Sequence, residues 1–152
     1  NQSYTHYVIE TSLGVDRMFL SVLCSSYEEQ PLPNGETRTV LQLPAPLAPV
    51  KCAVLPLVRK DGVPELAHKI VDDLKVDFAT HYEEKDAIGK RYRRQDAIGT
   101  PFCITVDHQS LEDGTVTLRE RDSMEQSRVK IADLHTLIHD RVSLASLLRK
   151  IN

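Results

Sequence analysis

The chain has 152 residues, a formal net charge of −3, and a composition that is 41% hydrophobic and 27% charged. This length allows one domain with a proper core and hardly two, and the proportions are ordinary for a globular protein. No apolar run approaches the roughly 20 residues of a membrane-spanning helix, and the first residues lack the profile of a secretory signal. We therefore expect a cytoplasmic protein with no membrane partner.

The first fifty residues divide into a regular segment and a proline-rich one. Residues 7–11 are a plausible strand, Gly14 marks a turn, and residues 15–27 have helical spacing of apolar side chains. Residues 28–50 contain five of the eight prolines of the chain, which fix backbone angles and remove hydrogen-bond donors. The composition predicts a connector, extended for part of its length, and a domain boundary near residue 48.

Beyond residue 48 the hydrophobic pattern alternates between strand and helix periods. Residues 51–58 form an apolar run suited to a strand buried on both faces, and apolar residues then recur every four positions from Leu66 to Phe78. The remaining predicted elements are strand 81–84, helix 87–98, strand 102–107, a hairpin turn at 112–114, strands 115–121 and 127–131, and helical residues 134–151. This order predicts an α/β fold with a mixed β-sheet flanked by helices.

The cysteines and histidines do not suggest a metal site. Cys24, Cys52 and Cys103 lie far apart, each within an apolar run, and no C-x-x-C pair occurs. An odd number without such a pair argues against a disulfide framework and against zinc. We predict that all three are reduced, buried residues of a cytosolic protein.

The helix predicted at residues 87–98 concentrates positive charge. Four cations occupy five consecutive positions, namely Lys90, Arg91, Arg93 and Arg94 around Tyr92. In a chain that is nearly neutral overall, a local cationic cluster indicates a specific anionic partner. The charges alone leave a second interpretation open, which is a solvated helix face.

Three segments in this region and one before it carry a resemblance to a known family. RYRRQDAIGTPFCITVD, with APVKCAVLPLV upstream and DGTVTLRERDSMEQSRVKI downstream, resembles the C-terminal anticodon-binding domain of the homodimeric glycyl-tRNA synthetases, a family of class IIa aminoacyl-tRNA synthetases. YVIETSLGVDRMFL resembles motif 3 of the class II catalytic domain in the same family. The resemblance covers essentially the whole chain and implies residues 1–27 as a motif 3 remnant, 28–48 as connector and 49–152 as anticodon-binding domain.

The motif 3 resemblance assigns roles to the residues around Gly14. It implies that Glu10, Thr11, Ser12, Leu13 and Gly14 lie on the glycine and adenylate side, and that Gly14, Val15, Asp16 and Arg17 lie on the ATP side. Thr11 departs from the family, since many relatives have proline there. A helix start with an arginine fork suits phosphate oxygens. The alternative left open is a simple salt bridge between Glu10 and Arg17.

The resemblance also implies that the full-length protein has more than this chain contains. The full-length family member is a homodimer that activates glycine with ATP and Mg²⁺ and transfers it to glycine tRNA. The chain starts at Asn1 rather than Met, inside a segment predicted to be ordered, and holds no motif 2 arginine. Because catalysis needs preorganised charges from several segments, we expect the chain alone to be inactive and to hold no cofactor.

For the anticodon surface the resemblance and the residues together name seven candidates. Arg91, Arg93 and Arg94 are expected to bind phosphates, whereas Tyr92 is expected to pack inward. The expected base contacts are Asp107, Glu112, Arg119 and Arg121. Carboxylates suit an anticodon rich in cytosine because its N4 amino group is a donor. The alternative for each is an ordinary exposed charge, and Asp96 is left open between a base contact and bonds to backbone amides near Gly99.

Two other functions remain open from the sequence. One is a stand-alone RNA-binding module with the same fold, although such a module has no use for an ATP-binding strand and helix. The other is a nucleotide-binding enzyme of flavodoxin-like shape, which requires a glycine-rich loop after the first strand. Residues 57–62 contain only one glycine, which disfavours that enzyme.

Overall fold

The computed structural model describes residues 3–32 and 35–149. Its elements in chain order are α1 Val15–Ser26, β1 Tyr27–Pro31, β2 Thr37–Leu41, β3 Cys52–Pro56, α2 Val63–Leu74, β4 Thr80–Tyr82, α3 Ile88–Ile98, β5 Phe102–Val106, α4 His108–Asp113, β6 Thr115–Glu120, β7 Gln126–Lys130, α5 Leu134–Val142 and α6 Leu144–Leu148. Two short 3₁₀ turns, Ala45–Leu47 and Ile131–Asp133, precede β3 and α5. Among these residues no helix is long and apolar enough to cross a membrane.

Five strands form one mixed sheet in the order β4-β3-β5-β6-β7. β3 pairs in parallel with β4 and β5, and β5, β6 and β7 pair antiparallel. The parallel strands are joined by α2 and α3, because parallel neighbours need a long crossover connection. This architecture confirms the predicted α/β class with a mixed sheet flanked by helices.

The two faces of the sheet are covered by different helices. Val54 and Ile104 face α2 and α5 in the larger core, whereas Leu55 and Cys103 face α3 in a smaller one. Ile104 and Leu55 are completely buried, and each such side chain contributes about 1.5–3 kcal/mol through removal from water. The sheet therefore fixes α3 on the face that also carries the residues predicted to bind RNA.

The first part of the proline-rich segment forms a β-hairpin, whose paired strands were not predicted. β1 and β2 pair antiparallel, and Gly35 at φ +79° supports the turn between them. Arg38 and Val40 are buried while Thr37 and Thr39 are exposed, so β2 has the period-2 pattern of a half-buried strand. The hairpin packs closely on the end of α3, since a Cβ at Gly99 would lie 3.0 Å from the carbonyl oxygen of Leu41.

Two local predictions are wrong for identifiable reasons. Residues 7–11 form no strand, because the described chain offers them no neighbouring strand for ladder hydrogen bonds. The expected hairpin turn at residues 112–114 is the end of α4, which Gly114 terminates at φ +65°. Eight residues separate β5 from β6, and Asp107 and Ser110 form a capping box that starts a helix there.

The cysteines differ in environment from one another. Cys52 and Cys103 are buried as predicted, and burial raises the pKa of their thiols to about 11 and about 12. Cys24 on α1 is exposed, so the prediction of burial is wrong for it, because no element among the described residues covers the side of α1 that carries it. In residues 3–32 and 35–149 no group of three histidine, cysteine or acidic side chains could hold a metal ion.

Candidate functional site

The basic helix α3 uses its arginines inside the protein. Arg91 is 2% exposed, and its Nη1 donates to the carbonyl oxygens of Pro56 at 2.7 Å and Glu83 at 3.2 Å. It therefore anchors the ends of β3 and β4 and is not available to an RNA phosphate. The expectation for Arg91 is corrected because the side of the helix that carries it faces the sheet.

The two other arginines of α3 are exposed but already have acidic partners. Arg94 lies 2.5 Å from the Glu83 carboxylate and 3.0 Å from that of Asp86, and the hydrogen bond with Glu83 raises its pKa. Arg93 pairs with Glu36 of the hairpin. Lys90 is exposed and makes no ion pair within the described part of the chain. A polyanion that binds at this helix would have to displace the carboxylates from Arg93 and Arg94, or share the two guanidinium groups with them.

Arg119 is buried instead of standing on an open strand surface. Its Nη1 and Nη2 donate to both oxygens of Asp96 at 2.8 and 3.0 Å, and its guanidinium lies 4.7 Å from the ring centre of Tyr92. Tyr92 packs inward as predicted, with its hydroxyl 2.6 Å from that of Thr105. The expected base contact by Arg119 is corrected, because α3 covers this end of β6. Asp96, at 1% exposure, accepts from Arg38 and Arg119, and its carboxylate bonds no backbone amide near Gly99 in the described residues.

Arg121 is likewise 3% exposed and fully engaged. It donates to the carbonyl oxygens of Gly99 and Leu43, each at 2.8 Å, and to the carboxylate of Asp122 at 2.6 Å. These bonds join the hairpin exit, the end of α3 and the end of β6. The structure therefore corrects the expectation of a base contact here, since the guanidinium ties three segments of the protein together.

One part of this sheet face is not covered by α3. Thr115, Thr117 and Arg119 alternate with the core residues of β6, and their partners on β7 are Lys130, Arg128 and Gln126. Tyr92 of α3 reaches only as far as Arg119, which leaves the rest of β6 and β7 accessible. We call the set Asp107, Thr115, Thr117, Gln126, Arg128 and Lys130 the open sheet face.

Arg128 is the fixed centre of the open sheet face. Its Nη1 and Nη2 donate to the two oxygens of Asp107 at 2.6 and 2.9 Å, and its Nε donates to Thr115 Oγ1 at 2.6 Å. A further bond of 3.2 Å joins Nη1 to Thr117 Oγ1. The side chains of Arg128 and Asp107 are about one-quarter exposed, at 27% and 24%. Nη2 also donates to the carbonyl oxygen of Thr115 at 3.2 Å, so every nitrogen of the guanidinium is bonded within the protein. Arg128 thus holds a partly exposed carboxylate in a defined geometry at the surface, as base-edge recognition requires.

Asp107 was among the predicted base contacts, but Arg128 was not. The feature that marks Arg128 is its position opposite Thr117, which becomes known only from the β6–β7 register. Glu112 lies on the exposed side of α4 and forms no ion pair in the described residues, so its predicted role stays a prediction. The structure brings Asp107 together with Arg128, and it separates Asp107 from Arg119 and Arg121.

The residues predicted to serve the substrate and ATP are exposed. Residues 10–13 have no regular structure, and Gly14 is the N-cap of α1, whose first turn carries Asp16 and Arg17. No ion pair joins Glu10 to Arg17 within residues 3–32, so the alternative of a structural salt bridge is not realised. Arg17, at the start of α1, makes no ion pair with any carboxylate in residues 3–32 and 35–149.

The ion pair of the open sheet face predicts a pH-dependent stability. The hydrogen bond from Arg128 lowers the pKa of Asp107 to about 2, from an unfolded value near 3.8. The ionised carboxylate therefore stabilises the fold above about pH 4, and this contribution of about 1–2 kcal/mol disappears as the pH falls towards 2. Urea unfolding of wild type and Asp107→Asn should show a stability difference at pH 6 that shrinks by pH 2.5.

The control for this measurement is Glu112→Gln on α4, the helix that Asp107 caps. It removes an exposed carboxylate without an ion pair among the described residues, so its stability should match wild type throughout the pH range. A difference between wild type and Asp107→Asn that stays constant from pH 6 to 2.5 would contradict the role given to this carboxylate.

Comparison with known proteins places these features in a family. The family described as "Anticodon binding domain" matches residues 51–141. The chain is 51% identical over 139 residues to a glycine–tRNA ligase of Borrelia hermsii, which covers 91% of this chain and 31% of the relative. It is 50% identical over 150 residues to a glycine–tRNA ligase of Rhodopirellula baltica, covering 96% of this chain and 28% of the relative. The chain thus spans about a third of the length of the curated relatives it matches.

Proposed function

Since the chain belongs to the family of anticodon-binding domains, we propose that it is the C-terminal part of a glycine–tRNA ligase and binds the anticodon region of glycine tRNA. The full-length protein, in this proposal, is a cytoplasmic homodimer that activates glycine with ATP and Mg²⁺ and transfers it to the tRNA. The observation that carries the proposal is the open sheet face within the matched residues, where a guanidinium and a carboxylate are exposed in fixed geometry.

The open sheet face supplies the groups that read unstacked bases. Asp107 accepts from Arg128 with both oxygens, and a carboxylate oxygen has a further lone pair for the N4 amino group of cytosine. Thr115 and Thr117 place hydroxyl groups beside the pair, and Lys130 adds a positive charge for the backbone. Glu112 remains a further candidate for a base contact.

The exposed cations of α3 serve the phosphates in this proposal. Lys90 is the first of them, because the described chain gives it no carboxylate partner. Arg93 follows, since its partner Glu36 is exposed and such a pair contributes about 1 kcal/mol or less, so its exchange for an RNA phosphate is a small loss to the protein. Arg94 comes third, because one of its partners, Asp86, is exposed whereas the other, Glu83, has a side chain only 18% exposed.

The N-terminal segment belongs to the glycine-activating site of the same enzyme. We assign Glu10, Thr11, Ser12, Leu13 and Gly14 to the substrate side, and Gly14, Val15, Asp16 and Arg17 to ATP. The guanidinium of Arg17, which has no ion pair in the described part of the chain, supports this assignment, since helix N-termini and arginine forks both favour phosphate. The chain alone should lack activity, because the other charges of such a site lie outside it.

The apolar side of α1 supports a position within a larger enzyme. Phe19 is 65% exposed and Met18 50%, and both line an apolar cleft of about 660 Å³ between α1 and the segment after β2. An exposed apolar surface of this kind marks a contact with further polypeptide. The curated relatives, which are about three times as long, contain such polypeptide.

The test of base reading is the variant Arg128→Ala in the full-length protein. Loss of the fork should weaken binding of glycine tRNA by about 1–3 kcal/mol, and weaken binding of a tRNA with altered anticodon bases by less. Binding of both tRNAs is measured by filter retention or fluorescence anisotropy across a salt series. A phosphate contact would instead weaken both tRNAs equally and reduce the salt dependence.

The matched control is Arg141→Ala. Arg141 is an exposed arginine in an ion pair of 2.6 Å with Glu120, and it lies on α5, outside the open sheet face. Its replacement should leave binding of both tRNAs within about twofold of wild type. If Arg128→Ala behaves like this control, the open sheet face does not read the anticodon.

A further inference from the structure

Three charged side chains from distant segments meet in the interior. Arg38 of β2 donates from Nη1 to Asp96 Oδ2 at 3.1 Å, and Arg119 of β6 donates to both oxygens of the same carboxylate. Their side chains are 2%, 6% and 1% exposed for Arg38, Arg119 and Asp96. We call these three residues the ion triad. It joins the β1–β2 hairpin, α3 and the central sheet at one point.

One end of the ion triad leads to the open sheet face. The guanidinium of Arg119 packs on the ring of Tyr92, whose hydroxyl is 2.6 Å from that of Thr105. Thr105 pairs with Thr117 in the β5–β6 register, and Thr117 accepts from Arg128 at 3.2 Å. Every step from the candidate base-reading arginine to the buried carboxylate is therefore a direct contact or a strand pair.

The other end leads to the N-terminal helix. Arg38 donates to Gln30 Oε1 at 2.7 Å and twice to the carbonyl oxygen of Arg121, each at 3.1 Å, so both strands of the hairpin are tied to the sheet. β1 follows α1 without an intervening residue, and the N–H of Gln42 donates to the carbonyl oxygen of Ser26 at 2.6 Å. The position of α1 thus depends on the position of the hairpin.

A buried ion triad is an inefficient way to stabilise a fold. Removing three charges from water offsets most of their mutual attraction, and apolar side chains of similar volume often do as well. Charged groups with directed hydrogen bonds do, however, allow only one relative arrangement of the segments that carry them. The ion triad therefore has the properties of a device that fixes geometry.

We propose that the ion triad couples the open sheet face to α1, and that Arg38 is its positioning residue. Tyr92 and Arg119 connect the open sheet face to the ion triad, and Arg38 holds the hairpin and α1 in one position relative to it, so that the anticodon bound at one end and α1 at the other share a single arrangement. The inference rests on the proposed function, since it assumes that the open sheet face reads the anticodon and that α1 belongs to the glycine-activating site. Because of this coupling, the anticodon changes the aminoacylation kcat/KM of a tRNA by more than it changes the affinity for that tRNA.

The experiment uses the full-length protein and the variant Arg38→Lys, which keeps the charge but loses the fork. Two activities are measured: glycine-dependent ATP–pyrophosphate exchange without tRNA, and aminoacylation of glycine tRNA and of a tRNA with altered anticodon bases. We expect exchange to remain at the wild-type level. The ratio of aminoacylation kcat/KM between the two tRNAs should fall by about fivefold or more.

Arg141→Lys makes the same chemical change at an exposed ion pair and is expected to leave both activities unchanged. Tyr92→Phe, which removes the bond to Thr105 but keeps the ring over Arg119, supplies a second position on the same path. The double variant Arg38→Lys with Tyr92→Phe should lose no more discrimination than the stronger single variant, because both act on one coupling. Melting curves establish that each variant is folded at the assay temperature.

An unchanged ratio in both Arg38→Lys and Tyr92→Phe would overturn the coupling, and so would fully additive losses in the double variant. Loss of exchange in Arg38→Lys would also overturn it, because the residue would then support the catalytic site without reference to the anticodon. A wild-type protein that shows no exchange, or charges both tRNAs equally, would overturn the proposed function and the coupling with it.

Discussion

The variant Asp96→Asn is expected to destabilise the protein by about 3–5 kcal/mol. Asp96 is 1% exposed and is the only carboxylate bonded to the guanidinium groups of Arg38 and Arg119 in the described structure. Asparagine has a similar size but no charge, so two buried cations lose their counter-ion. Urea or guanidinium unfolding at pH 7 measures the loss, which is a large part of the 5–15 kcal/mol typical of a whole domain.

Asp122→Asn is the matched control for this variant. Asp122 also pairs with a buried arginine, at 2.6 Å from Arg121, but its own side chain is 61% exposed. Solvent screens that pair, and Arg121 keeps its bonds to the carbonyl oxygens of Gly99 and Leu43. We expect a loss below about 1 kcal/mol. Equal losses for Asp96→Asn and Asp122→Asn would show that the ion triad is not the structural link described above.

Arg17→Ala in the full-length protein is expected to lower the rate of glycine activation without changing the fold. Removing one charge-assisted contact to a phosphate costs about 2–4 kcal/mol of transition-state stabilisation. The side chain is exposed at the start of α1 and makes no ion pair within residues 3–32, so the melting temperature should stay at the wild-type value. ATP–pyrophosphate exchange and a thermal melt measure the two quantities.

Arg141→Ala again provides the comparison, as an exposed arginine remote from α1 in the chain. It should retain exchange activity within about twofold of wild type. If Arg17→Ala melts normally and keeps the same kinetics as this control, Arg17 does not bind the nucleotide and the motif 3 assignment of residues 10–17 is wrong.

The local pattern of the sequence was enough for most of the secondary structure. The continuous apolar run predicts the strand β3, and the recurrence of apolar residues every four positions predicts the helix α2. Each pattern follows from the geometry of a single element. Gly99 was recognised as a turn, and the structure shows why glycine is required: its φ is +85° and the carbonyl of Leu41 leaves no room for a side chain. The hairpin at residues 27–41 was missed because proline content outweighed the alternation in β2.

The sequence shows where the charged residues are, but not which groups they bind. The run of cations in α3 indicates an anionic partner, but that partner can equally be RNA or a carboxylate of the same chain. The structure gives Arg91 two carbonyl oxygens, gives Arg94 the carboxylates of Glu83 and Asp86, and gives Arg119 the buried Asp96. Burial and pairing, which depend on how helices lie on the sheet, decide whether an arginine is free to bind a ligand.

The sequence by itself therefore determined the fold class, the succession of the basic helix α3 and the strand β5, and the family resemblance that the comparisons confirm. Only the tertiary structure decided which charges face a partner. Arg128 and Asp107 are 21 residues apart, and Arg38 and Asp96 are 58 apart, so no local period connects them. They meet because strand register and helix packing bring distant segments together, and the low polarity of the interior then makes each buried charge require a partner.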